Sequence, residues 1–173
     1  MRFRELYADV PLRSVLLAYD GTPPAEVALR RCAEIVSETR AKLTLVCVMP
    51  VTEGAIGLEL PPGGTIADTV TAGRKMLDEA RARAEKLGAG SAEAVLLEGD
   101  PVELIVDYAH RHRPDLIVVG SRGLSAPGRW ILGSVSEGIL RRTHCSVLVV
   151  KAEPAPTEPK AKRPPKGRPT PVE

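Results

Sequence analysis

One stretch constrains this chain more than any other. Asp115 leads into Leu116-Ile117-Val118-Val119, a short apolar run of the kind a sheet buries on both faces. It passes straight into Gly120-Ser121-Arg122-Gly123, then nine residues, then Gly133-Ser134. Val135, Ile139 and Leu140 follow at helical spacing. A buried strand, a glycine-bearing loop and a helix that starts on a hydroxyl make a cradle for an anion. Small residues let the backbone come close, and the free N–H groups and dipole at the helix start attract negative charge. This stretch points to a phosphate-bearing ligand.

The chain around it alternates strand and helix patterns. Ser14–Asp20 reads as a buried strand, and Thr22 and Pro23 then suit the cap and first position of a helix that runs to about Thr39. Its inward stripe is Val27, Ala28, Cys32, Ile35 and Val36. Leu43–Val48 is a second strand, and residues 50–64, with seven Gly and Pro, are a loop. Thr65 opens a second helix whose inner face is Ile66, Val70, Gly73, Leu77, Ala80, Ala84 and Leu87, with Gly88 ending it. Ala94–Leu97 is a third strand. Asp100-Pro101-Val102-Glu103 is a helix start with an N-cap, a first-position Pro and a Glu at the third position, and that helix stops before Pro114. Leu116–Val119, a helix over about Ser134–Arg142 and a strand over Ser146–Val150 complete the series. The alternation implies an α/β fold, a single doubly wound five-stranded parallel sheet with helices on both faces. In such sheets ligands bind beyond the strand carboxyl ends, where the winding reverses. Asp20 and Gly120 close the first and fourth strands and would share that crevice.

Composition narrows the function. Of 173 residues only five are aromatic, too few to supply stacking surfaces for single-stranded nucleic acid. The net charge of +2 is uneven, because residues 151–173 hold six basic and three acidic side chains with seven prolines, while the body is slightly acidic. No basic face for duplex DNA follows. The domain plan is an arm over 1–11, one α/β domain over 12–151 that carries the anion cradle, and a disordered, Pro- and Lys-rich tail over 152–173. No apolar run nears the roughly 20 residues of a membrane span, and Met1–Glu5 has charge with no apolar stretch behind it. A cytoplasmic location is the expectation. Cys32, Cys47 and Cys145 form no C-x-x-C pair and read as small hydrophobes. His110 and His112 diverge on a helix and His144 stands alone, so no metal site of the protein's own is expected. There is no G-x-x-x-x-G-K-[ST] motif, no G-x-G-x-x-G spacing and no readable catalytic triad.

The glycine pattern, Gly120-x2-Gly123-x9-Gly133-Ser134, resembles that of the universal stress protein family. Ser14-Val15-Leu16-Leu17-Ala18-Tyr19-Asp20-Gly21-Thr22 is similar to the family's opening strand with its terminal acid, and Cys145–Val150 to its closing strand. The resemblance covers about residues 12–151. It implies strand order 3-2-1-4-5, and ATP, with Mg, as the cofactor of members carrying the full pattern. Carried over residue by residue, it implies Asp20 on the adenosine portion and Val46, Cys47 and Val48 along the adenine. Gly120, Arg122, Gly123, Gly133, Ser134 and Val135 would surround ribose and phosphates. It also implies a homodimer joined through the last strand, Ser146–Val150, with Val147 and Val149 paired across a two-fold axis. The expected function is an ATP-binding stress-response regulator, a nucleotide-dependent switch with unknown protein partners and no catalytic residue. Two alternatives stand beside it: slow ATP hydrolysis or self-phosphorylation at Ser134 or Ser136, and a dimeric interaction module that needs no nucleotide. ATP is not separated from AMP or a cyclic nucleotide.

Overall fold

The strands take their order from which aliphatic runs can be buried on two faces. In the computed structural model, which describes residues 11–49, 66–121 and 132–151, these are β1 (Ser14–Ala18), β2 (Lys42–Met49), β3 (Ala92–Glu98), β4 (Leu116–Ser121) and β5 (Ser146–Lys151). They form one sheet in the order β3-β2-β1-β4-β5, and every pairing is parallel. The expected fold class and strand order both hold. Four helices connect the strands among the described residues: α1 (Pro23–Thr39), α2 (Ile66–Ala84), α3 (Pro101–His112) and α4 (Ser134–Arg142).

Alternation along the strands divides the core. Val15, Leu17, Leu43, Leu45 and Val118 pack with α1 and α2, through Leu29, Cys32, Val36, Leu77 and Ala80. Leu16, Val46, Ile117 and Val119 face the other way, onto Ile105 and Tyr108 of α3 and Ile139 of α4. Replacing one of these fully buried leucines with alanine costs about 2–5 kcal/mol, the transfer term plus the cavity.

Local sequence sets the helix ends. Thr22 caps α1, and Arg40 closes it in the left-handed conformation (φ 59°). Asp100 caps α3 by accepting from the Glu103 N–H at 2.8 Å, and Arg113 (φ 47°) ends that helix ahead of Pro114. After Ala84 the chain makes one widened turn over Glu85–Ala89, closed by Gly88 at φ 96°, where a side chain would be strained. The widening breaks the 3.6-residue period and turns Leu87 outward (49% exposed), so the expectation that it shares the inner face with Ala84 is corrected. Leu140 is likewise exposed (50%), because Ile139 alone fills that turn's place against the sheet.

The opposite edge of the sheet is tied by Asp115. Its Oδ2 accepts from the Arg13 and Ser14 N–H groups, both at 2.8 Å, and from the Ser14 hydroxyl at 3.1 Å. Burial works against the charge, but these donors outweigh it and hold the carboxyl below its ordinary range. Among the described residues no helix is long and apolar enough to cross a membrane.

Candidate functional site at the carboxyl edge of β1 and β4

The winding reverses between β1 and β4. β2 and β3 lie to one side of β1, β4 and β5 to the other. Ala18 pairs with both Val46 and Val119, so Asp20 and Ser121 leave the sheet at one level on adjacent strands. The register therefore sets Asp20 and Gly120 on neighbouring strand ends at the switch point.

Three helix starts near this edge can be compared, and they differ in free donors. At α1, Pro23 and Pro24 have no N–H, the Ala25 N–H points at Thr22 Oγ1 at 3.5 Å, and the Glu26 N–H bonds the Thr22 carbonyl at 3.0 Å. At α3, Pro101 has no N–H and the Asp100 carboxylate already occupies the first turn. At α4 the cap is Gly133, which has no side chain to offer, and the first helical bond is Glu137 N–H to the Gly133 carbonyl at 2.9 Å. Among the described residues no side chain caps the Ser134, Val135 and Ser136 N–H groups. Such a start receives an anion, whereas the other two are saturated or already negative. Ser134 is exposed and is the first helical residue, not the cap.

Gly120 explains how these parts meet. A Cβ at this position would lie 2.7 Å from the Pro24 carbonyl carbon, 2.8 Å from its oxygen and 2.9 Å from the Ala25 nitrogen. The end of β4 thus packs main chain to main chain on the first turn of α1. Its carbonyl accepts from Ser136 Oγ at 3.0 Å.

Asp20 is exposed. Its Oδ1 accepts from the Thr22 N–H at 3.0 Å and the Thr22 hydroxyl at 2.5 Å. Asp20 therefore supports the helix cap, and among the described residues only its Oδ1 is engaged by Thr22. The three β2 residues do not act alike. The Val46 side chain is fully buried (0%) toward α3, and Cys47 (2%) points to the opposite face. Only Val48 has a part-exposed side chain; Val46 and Cys47 can give a ligand main-chain atoms. Burial first, and then the Asp20 charge, push the Cys47 thiol up to about 11, so it is neutral at physiological pH. Arg122 and Gly123, together with Arg129, Trp130 and the 50–64 loop, lie outside the described residues.

Two features had no signal in the sequence. Tyr19, at the base of the Asp20 turn, donates its hydroxyl to the Glu26 carboxylate. Arg83 of α2 donates to both, to Tyr19 Oη at 3.0 Å and to Glu26 Oε1 at 2.7 Å. Burial and then the neighbouring Glu26 raise the Tyr19 phenol well above its ordinary range. The second feature is the Ser136 bond to Gly120, which spans 16 positions. It also divides the two serines considered for phosphorylation, because Ser136 is buried with its hydroxyl committed. His144 does not stand alone in space, for its ring stacks on His110 with centroids 5.1 Å apart.

A parallel sheet in this order, with one open helix start at its switch point, defines a doubly wound, Rossmann-like α/β protein. The family model "Universal stress protein family" matches residues 11–151, and the chain belongs to that family. A putative universal stress protein of Staphylococcus aureus (strain USA300) is 32% identical over 150 residues, 86% of this chain and 90% of that one. Among solved structures, a universal stress protein crystallised in complex with cAMP is 30% identical. It superposes with a TM-score of 0.63 over 82% of this chain and 98% of its own. A universal stress protein of Archaeoglobus fulgidus is 26% identical, with a TM-score of 0.66 over 80% of this chain and 98% of that one.

Proposed function

We propose that this protein binds ATP, with magnesium, at the β1–β4 crevice and acts as a nucleotide-dependent regulatory switch in a stress response. One observation carries the reading: among the described residues the first turn of α4 has no side-chain cap, and it lies beside the Gly120 end of β4 and the exposed Asp20 carboxylate. The N–H groups suit phosphate oxygens, and a carboxylate at this level suits ribose hydroxyls or an adenine amine. Val48 supplies apolar contact for the base. Among the described residues no group of three or more His, Cys, Asp or Glu side chains could hold a metal. Magnesium would arrive with the phosphates, as is usual for a metal that keeps much of its water. The relative crystallised with cAMP supports an adenine nucleotide as the ligand class. Switching then follows if the two states of the protein differ in affinity for ATP.

Calorimetric titration of nucleotide-free protein with MgATP, and with AMP and cAMP in parallel, tests this. Saturation near one ATP per chain, tighter than AMP, is expected. Tighter binding of cAMP than ATP would replace the ligand and keep the site. An absence of heat and of competition at millimolar ATP would leave the nucleotide-independent interaction module as the reading.

A homodimer through β5 is the second part of the proposal. Among the described residues β5 is the last strand in the sheet order, next to β4, and antiparallel pairing with a second copy would extend the sheet across a two-fold axis. A protomer mass in sedimentation at micromolar concentration would remove this part and leave the nucleotide site standing.

A further inference from the structure

Ser136 is buried, at 5% exposure. A buried hydroxyl needs a partner, and it has one in the Gly120 carbonyl, 3.0 Å away on β4. The bond joins the last residues of β4 to the first turn of α4, the two flanks of the glycine-bearing segment. Gly120 is gripped from the other side as well, since its Cα faces Pro24 and Ala25 with no room for a Cβ. The first turn of α1, the end of β4 and the first turn of α4 therefore form one packed unit. Within it the Gly133 cap has no side chain to fix where the first N–H groups of α4 point.

We propose that Ser136 is a positioning residue for the phosphates of the bound nucleotide. Its bond to Gly120 holds the α4 N–H groups at a fixed distance and angle from the β1–β4 crevice. It therefore sets affinity for the phosphate chain and leaves the nucleoside contacts alone. This rests on the nucleotide-binding reading above. It also separates the neighbouring hydroxyls: Ser134 is open to a ligand, and Ser136 works through Gly120.

The test compares the full chain with Ser136→Ala and Ser136→Thr, titrating each with MgATP and with adenosine and recording the melting temperature. For Ser136→Ala the expected result is about five-fold weaker ATP binding, the worth of one typical hydrogen bond, with adenosine affinity kept within about two-fold. Ser136→Thr, which keeps the donor, should restore the ratio of ATP to adenosine affinity. Equal losses for ATP and adenosine would make the bond purely structural and overturn the proposal. So would an unchanged ATP affinity in a folded Ser136→Ala protein. If Ser136→Ala loses its cooperative melt, Ser136→Cys, in which a weak thiol donor replaces the hydroxyl, takes its place, and a smaller loss confined to ATP is expected. If the unsubstituted chain binds neither ligand, the nucleotide reading fails and the positioning role fails with it. Binding of both ligands by the unsubstituted chain with no change in their ratio overturns the positioning role alone.

Discussion

At the scale of single residues, Gly120 shows why a glycine in a motif need not be there for flexibility. It adopts no left-handed backbone; what it lacks is space for a Cβ, which would press on the main chain of Pro24 and Ala25. Backbone cannot rotate away as a flexible side chain can. Gly120→Ala should therefore destabilise the fold by about 1–3 kcal/mol, the usual cost of overpacking. For a chain of this size that lowers the melting temperature by about 2–4 °C per kcal/mol. Scanning calorimetry checks it, and an unchanged melt would show that the two segments have room to part. Legibility at this scale was uneven. The motif glycines, Asp20 and Ser134 stand out because their chemistry is local: a strand end, a loop, a helix start. The partners of Ser136 and Arg83 lie 16 to 64 positions away, and only the folded chain pairs them. Val46, Cys47 and Val48 came from resemblance as a set, yet strand alternation sends Cys47 to the opposite face from the two valines.

At the scale of elements, the strands and helix starts were legible because they rest on short-range signals. These are unbroken aliphatic runs and Thr-Pro and Asp-Pro caps. The inner faces of α2 and α4 were read less well at their ends. Leu87 follows a widened turn that no periodicity announces, and Leu140 is displaced from the core by its neighbour Ile139. The link between β1 and β4 gives an element-scale prediction. Asp115 joins them at the edge remote from the site, and its folded-state pKa is lowered. Its stabilising contribution is then complete above the unfolded carboxylate value of about 4 and is lost as pH falls through the lower folded value. Asp115→Asn should lower the melting temperature at neutral pH and flatten its decline below about pH 4, where the native carboxylate would have been losing its charge. Melting temperatures of both proteins from pH 7 to pH 3 decide the matter. Parallel curves would mean that the Arg13 and Ser14 donors contribute nothing specific to the charge.

At the scale of the whole molecule, the described helix starts at the switch point are not alike. The sheet reverses beside α1 and α4, and of the three helix starts compared only α4 is left open. Membership of the universal stress protein family accounts for the scaffold. The open start is what this chain's own residues add to the case for a phosphate ligand. The most direct measurement is calorimetric titration with MgATP of the unsubstituted chain and of Gly133→Asp, side by side. An aspartate at that cap offers the helix start its own acceptor and charge; because Gly133 is buried, the melting temperature is recorded beside each titration. The aspartate should weaken ATP binding by about ten-fold or more, since it competes for the N–H groups that would hold phosphate. A Gly133→Asp protein that melts as before and binds ATP as tightly as the unsubstituted chain would contradict the account.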